Sequence, residues 1–189
     1  MSDVESAADL GWLDAIRPLT EPVLDFFADI EVWTARTTFA PFVGEPINNH
    51  AYDCDKQGSL VAGPGGRLSC AEVELVRRFR ASNWDAGWTA TCGQRNDDWR
   101  GAMFVPRAPA DPTAPVPPLL PGRLASILLR HGTKGHPDVM AWQSLRHPRL
   151  VELKGPKDRS VAQADWLREA LAAGTIARDD FLLVQWSFA

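Results

Sequence analysis

Cysteine, tyrosine and long apolar runs are what this 189-residue chain has least of, and each shortage removes a class of protein. Its three cysteines, Cys54, Cys70 and Cys92, are an odd number and form no Cys-x-x-Cys pair. That disfavours a disulfide framework and a structural zinc site, and it fits a reducing compartment. No stretch approaches the ~18 uncharged apolar residues that a membrane span needs. The opening residues, MSDVESAADLGW, are acidic and lack the basic-then-apolar pattern of a secretory signal, so a cytoplasmic protein without a membrane anchor is the expectation. No internal repeat is visible. A single tyrosine contrasts with eight tryptophans. Trp84, Trp88, Trp142, Trp166 and Trp186 fall in segments that read as structured, where core packing accounts for them.

What is present is otherwise ordinary for a globular protein, with 45% hydrophobic and 23% charged residues. The length suits one domain with an extension. The net charge of −4 hides an asymmetry, because residues 1–60 hold 3 basic against 11 acidic groups and the remainder holds 17 against 13. Residues 123–159 are the most basic, with Arg123, Arg130, Lys134, Arg146, Arg149, Lys154, Lys157 and Arg159 against Asp138, Glu152 and Asp158. A basic body suits a polyanion, whereas the acidic end does not; the plainer reading is a solvated surface of uneven charge.

Residues 5–17 and 20–36 both read as helices, the first from Leu10, Leu13 and Ile16, the second from Val23, Phe26, Phe27 and Ile30 after Pro22 in its first turn. Turn residues dominate 41–69, leaving loop with room for one short hairpin. Ser69 then caps a helix in which Glu72 completes a capping box and Glu72, Leu75, Val76 and Phe79 form the inward stripe. Glu74 is placed to pair with Arg78 on the solvated side. Trp88–Cys92 reads as a strand, and seven prolines between 106 and 121 mark an irregular surface segment. Leu124–Arg130 reads as a short helix, 138–142 and 149–154 as a pair of strands. Ser160 caps a helix carrying Gln163, Trp166, Leu167, Ala170 and Leu171 that closes at Gly174, and Phe181–Phe188 is a last strand. From Ser69 onward the order is helix, strand, insert, strand, strand, helix, strand, an α/β arrangement.

The chemistry concentrates in Gly135–Trp166, GHPDVMAWQSLRHPRLVELKGPKDRSVAQADW. Side chains alternate along a strand, so Glu152 and Lys154 share one face, Val151 and Leu153 take the other, and Asp138 at the start of the partner strand can join the first two. Two carboxylates and an ammonium suit a hard divalent cation and a phosphate. The backbone carbonyl of Leu153 offers a third oxygen. Lys154 is suited either to orienting and deprotonating a water or to neutralising a phosphate. Taken singly, these residues would equally make a surface hairpin with an ordinary ion pair.

The order Pro137-Asp138, spacer, Glu152-x-Lys154, extended by GHPDVMAW, LVELKGPKDR and QADWL, resembles the VRR-NUC branch of the PD-(D/E)XK nuclease superfamily, the branch that includes the catalytic domain of the Fanconi-associated nuclease. The resemblance spans about 115 residues, Ser69 to Phe188, with the Pro-rich insert and a short loop between Arg159 and Gln163 as departures. It implies a restriction-endonuclease-like αβββαβ core with a mixed central sheet flanked by helices over 61–189, carrying the insertion at 106–121. The acidic residues 1–60 form a mainly helical extension to it. It implies a Mg²⁺- or Mn²⁺-dependent DNA endonuclease selective for branched, flap or junction DNA, with Asp138, Glu152, the Leu153 carbonyl and Glu72 around the metal and Glu74 as the alternative to Glu72. Gln163 is implied as an active-site residue, although Ser160 and Gln163 also form a capping box. Lys157 and Arg159, and more weakly Lys134, are expected to hold DNA phosphates, Asp158 offering a local ion pair instead. A restriction or defence nuclease and a non-catalytic nucleic-acid-binding or assembly module are the alternatives. A homodimer, and a protein partner for the acidic N-terminal residues, are the other partners left open.

Overall fold

A computed structural model of the chain describes residues 17–18, 30, 32–44, 60–66, 68–89, 104–105, 114–115, 135–143, 146–155, 158 and 162–189. Five long strands form its centre: β2 (Trp33–Phe39), β5 (Asp85–Trp88), β8 (Val139–Gln143), β9 (Arg146–Lys154) and β10 (Phe181–Phe188). They lie in the order β2-β10-β9-β8-β5, with two-residue strands β1 (Arg17–Pro18), β6 (Phe104–Val105) and β7 (Ala114–Pro115) added at the two edges. β2, β10 and β9 are parallel, while β8 runs antiparallel to both β9 and β5, so the sheet is mixed. A separate hairpin pairs β3 (Leu60–Ala62) with β4 (Leu68–Cys70). Two helices complete the described fold, α1 (Ala71–Ala81) and α2 (Ala162–Ala172). The long elements from Ala71 onward therefore run helix, strand, strand, strand, helix, strand, an α/β arrangement.

The helices cover opposite faces because the strands alternate. Odd-numbered Val139, Ala141, Val151 and Leu153 pack with Ala71, Val73, Leu75, Val76 and Phe79 of α1. Even-numbered Met140 and Leu150 share the other cluster with Ala164, Trp166, Leu167 and Ala170 of α2, and with Phe181 and Leu183 of β10. Trp166 is thus a core residue. Both helices end alike. Asn83 (φ 62°) after α1 and Gly174 (φ 62°) after α2 adopt the left-handed conformation that lets the chain turn back and satisfy the last carbonyls. The Trp84 N–H reaches the Phe79 carbonyl at 3.1 Å, and the Thr175 N–H reaches that of Ala170 at 3.0 Å. Trp84 packs edge-on to Phe79, the apolar contact that accompanies such a stop.

Several sequence expectations change. Residues 33–36, expected to end a helix, are strand: β2 bonds to β10 from Trp33↔Leu182 to Phe39↔Phe188. The N-terminal part of the chain thereby contributes to the main sheet. Thr34, Thr37, Thr38 and Phe39 favour a pleated, half-buried surface once β10 is there to pair with. Ser69 is not a helix cap, since it is paired in β4 opposite Val61; Cys70 occupies the cap position without a side-chain hydrogen bond, so no Ser69–Glu72 capping box forms. Glu74 pairs with Arg77, and its charge acts on Arg78 as well. Arg78 turns instead to β2, donating to Thr37 Oγ1 (2.5 Å) and the Thr38 carbonyl (2.7 Å) and lying 4.4 Å from the Phe39 ring centroid. Burial lowers the Arg78 pKa, an effect the nearby Glu74 opposes. The strand expected from Trp88 starts earlier, at Asp85, because Gly87 is paired with Met140 instead of making a turn. The helices expected over 5–16, 20–29 and 124–130 lie outside the described residues. Among the described residues no helix is long and apolar enough to cross a membrane.

Candidate active site

The β8–β9 hairpin brings the motif residues together through its register. Val139 pairs with Val151 and Met140 with Leu150, so the register continued one step outward sets Asp138 opposite Glu152, and alternation puts Glu152 on the even-numbered face that α2 covers. Pro137 has no N–H to continue the ladder. The Asp138 carboxylate closes the gap: its Oδ2 accepts the Leu153 N–H at 3.0 Å, which pins the acid to β9. Lys154 lies two residues beyond Glu152 on the same face, and its Nζ is 2.5 Å from Glu152 Oε1. The pair is deeply buried, Glu152 being 0% and Lys154 6% exposed. Two charges taken out of water this far depend on each other and on good geometry for their stabilisation.

Asp138 is also held from behind, by Thr89, which belongs to no motif, and by its neighbour His136. Thr89, 2% exposed at the end of β5, donates to the Asp138 carbonyl twice, through its N–H at 2.8 Å and its Oγ1 at 2.9 Å. The same hydroxyl contacts the Pro137 carbonyl. His136 Nδ1 donates to that carbonyl at 2.9 Å and lies 3.3 Å from Thr89 Oγ1. Burial pushes the His136 pKa below its usual 6.5, partly offset by the bond to Pro137, so the ring is neutral at pH 7. His136 thus serves the backbone of the Pro-Asp turn. Only the register of β5 against β8 makes Thr89 legible as a site residue.

Gln163 sits in the first turn of α2, on the face of the sheet that carries Glu152 and Lys154. Its Oε1 is buried and has no hydrogen-bond partner among the described residues. The turn after Lys154 is closed by Asp158, whose Oδ2 accepts the Gly155 N–H at 2.8 Å and whose own N–H reaches the Gly155 carbonyl at 3.2 Å. Asp158 thus folds back onto Gly155. Lys157, Arg159, Lys134 and Ser160 themselves fall outside the described residues.

Glu72 is buried at 2% exposure on α1, the helix that covers the opposite, odd-numbered face of the sheet. The structure does not gather it with Asp138 and Glu152: among the described residues no three His, Cys, Asp or Glu side chains form a metal-ligand set. Glu74 is occupied elsewhere, accepting from Ser69 Oγ at 2.5 Å and from Arg77. The donor set in place is therefore Asp138 and Glu152, with the Leu153 carbonyl between Glu152 and Lys154 in the chain. Two opposed carboxylates and one carbonyl fit a hard cation that keeps most of its own water, such as Mg²⁺. The chain matches no protein-family model, and no curated protein or solved structure matches it significantly, so the family resemblance rests on the motif residues themselves.

Proposed function

We propose that the chain is a divalent-metal-dependent DNA endonuclease, selective for branched, flap or junction DNA. The observation that carries this reading is that one end of the β8–β9 hairpin holds Asp138, bonded to the Leu153 N–H, and the buried Glu152–Lys154 pair on either side of Leu153. The order helix, three long strands, helix, strand from Ala71 onward, with the two-residue strands β6 and β7 between the first and second, supports a restriction-endonuclease-like core. In this reading Asp138, Glu152 and the Leu153 carbonyl hold Mg²⁺ or Mn²⁺. Such a cation lowers the pKa of a bound water and neutralises charge on the phosphoryl oxygens. Asp138 presents one carboxylate oxygen while the other stays bonded to the Leu153 N–H, which fixes the orientation of the acid before substrate arrives. Lys154 Nζ, beside Glu152, can hold a phosphate oxygen or orient the attacking water, or deprotonate it when itself neutral. Gln163 Oε1 is a further buried acceptor on the same side. Glu72, on the helix that covers the other face, is not needed in this donor set.

A second reading draws on the Glu152–Lys154 pair, which already neutralises itself: a nucleic-acid-binding or assembly module that keeps the fold without cutting. One experiment separates the two. The purified protein is incubated with branched, flapped and linear DNA with and without Mg²⁺, alongside Asp138→Ala and Glu152→Ala. Mg²⁺-dependent cleavage lost in both variants supports the endonuclease; cleavage that persists undiminished in them refutes this centre, and DNA binding without cleavage supports the module.

A further inference from the structure

On the α2 side of the sheet the apolar cover stops abruptly. Val32, Leu150, Phe181 and Leu183 lie in the cluster that α2 completes. One step further toward the carboxyl ends of the three parallel strands, the same face becomes polar. Gln185 of β10 is registered with Lys154 of β9 on one side and with Arg36 of β2 on the other. The next row pairs Ser187 with Thr38. Alternation fixes which face these residues occupy, since their neighbours Ala35, Phe39, Val184 and Trp186 belong to the α1 core. Arg36, Thr38 and Ser187 are exposed, and among the described residues the Arg36 guanidinium has no ion-pair partner. A cation, two hydroxyls and an amide thus continue sideways from Lys154 across two strand spacings, ~9.5 Å.

Adjacency to the candidate centre gives this strip its meaning. The residue types on it, Arg, Gln, Ser and Thr, are among those that hold phosphate and sugar oxygens. Its place also agrees with the tendency of open α/β sheets to bind ligands outside the carboxyl ends of their strands. We propose that the Lys154–Gln185–Arg36 row, with Ser187 and Thr38, is the track along which the DNA backbone runs away from the cleavage centre. Arg36 holds a phosphate flanking the scissile one. The track rests on the endonuclease reading for its direction, and on charge and register for its existence. It assigns a binding role to a residue of the otherwise acidic N-terminal third, the opposite of what its net charge suggests.

The test measures binding of a short fluorescein-labelled duplex, and of one of its strands, as a function of salt. Ca²⁺ replaces Mg²⁺ in the buffer. Arg36→Ala is expected to weaken binding roughly tenfold at low salt and to lower the salt slope by the ~0.7–0.9 that one phosphate contact contributes, while Arg36→Lys keeps the slope. Ser187→Lys, which adds a charge in the next row, raises both affinity and slope, and it tests the track even if Arg36→Ala fails to fold. Unchanged affinity and slope in Arg36→Ala or in Ser187→Lys overturns the track, and if wild type still cleaves, the endonuclease reading survives. Arg36-dependent binding by a protein that does not cleave upholds the track and removes the endonuclease reading instead.

Discussion

Replacing Lys154 by methionine removes the ammonium that faces Glu152 and leaves the methylene stem in place. The partners sit at 2.5 Å with 0% and 6% exposure, so the carboxylate left behind has little water to turn to. Breaking a buried pair from one side costs about 3–5 kcal/mol, far more than the ~0–1 kcal/mol of an exposed pair. For a domain of this size that corresponds to a fall in Tm of roughly 6–20 °C. The double variant Glu152→Leu/Lys154→Met removes both charges and is expected to recover most of the loss, because apolar replacement of a whole buried pair is often neutral or stabilising by about 1–4 kcal/mol. Urea unfolding of wild type, both single variants and the double variant closes the cycle. Adding Mg²⁺ separates a site from a mere strut. A cation held by Asp138 and Glu152 replaces the lost positive charge, so Lys154→Met gains more stability from Mg²⁺ than wild type does, and the double variant gains none. A loss below ~1 kcal/mol in Lys154→Met refutes the buried pair. Equal Mg²⁺ effects on all four proteins refute the cation site.

Thr89→Val keeps the shape and the backbone N–H but deletes the hydroxyl that holds the Pro137–Asp138 carbonyls. It is expected to cost about 1 kcal/mol in urea unfolding, while lowering kcat more than KM in the nuclease assay, with Thr89→Ser restoring both. Gly155→Ala places a Cβ 3.0 Å from the Trp186 indole, and displacing that ring from the α1 core is expected to cost about 1–3 kcal/mol in thermal unfolding. His136 is held neutral by burial, so between its lowered pKa and 6.5 the unfolded chain binds the extra proton. Stability is therefore complete above pH 6.5 and falls as pH drops toward the lowered value, and urea midpoints across that range should flatten in His136→Gln.

The parts legible in the sequence are those where local pattern and tertiary contact agree. Period two placed Glu152 and Lys154 together and Val151 and Leu153 on the other face, and the β8–β9 register does the same. The stripe Trp166, Leu167, Ala170 of α2 and the apolar run of β10 were equally plain. The misread parts depend on partners far away in sequence. Trp33–Phe39 follows a segment with helical spacing, and only β10 makes it a strand. Ser69 and Glu72 match a capping box in text, yet the β3–β4 ladder claims Ser69 first and moves the cap to Cys70. Glu72 then reads as an acid in an inward stripe, and nothing local says that its helix covers the opposite face from Glu152. Thr89 carries no motif at all; its role appears once β5 lies beside β8.

The parallel ladder between β2 and β10 also sets a timetable. During synthesis, Trp33–Phe39 emerges about 150 residues before the strand it pairs with along its full length. At roughly 5–20 residues per second, β2 waits some 7–30 s with only the two-residue contact of β1 beside it. A waiting strand with three threonines between Trp33 and Phe39 is a template for the wrong neighbour, and a charged side chain in its middle is the usual safeguard. Arg36 occupies that position. The residue assigned here to the DNA backbone would therefore also keep a nascent chain soluble until its partner arrives.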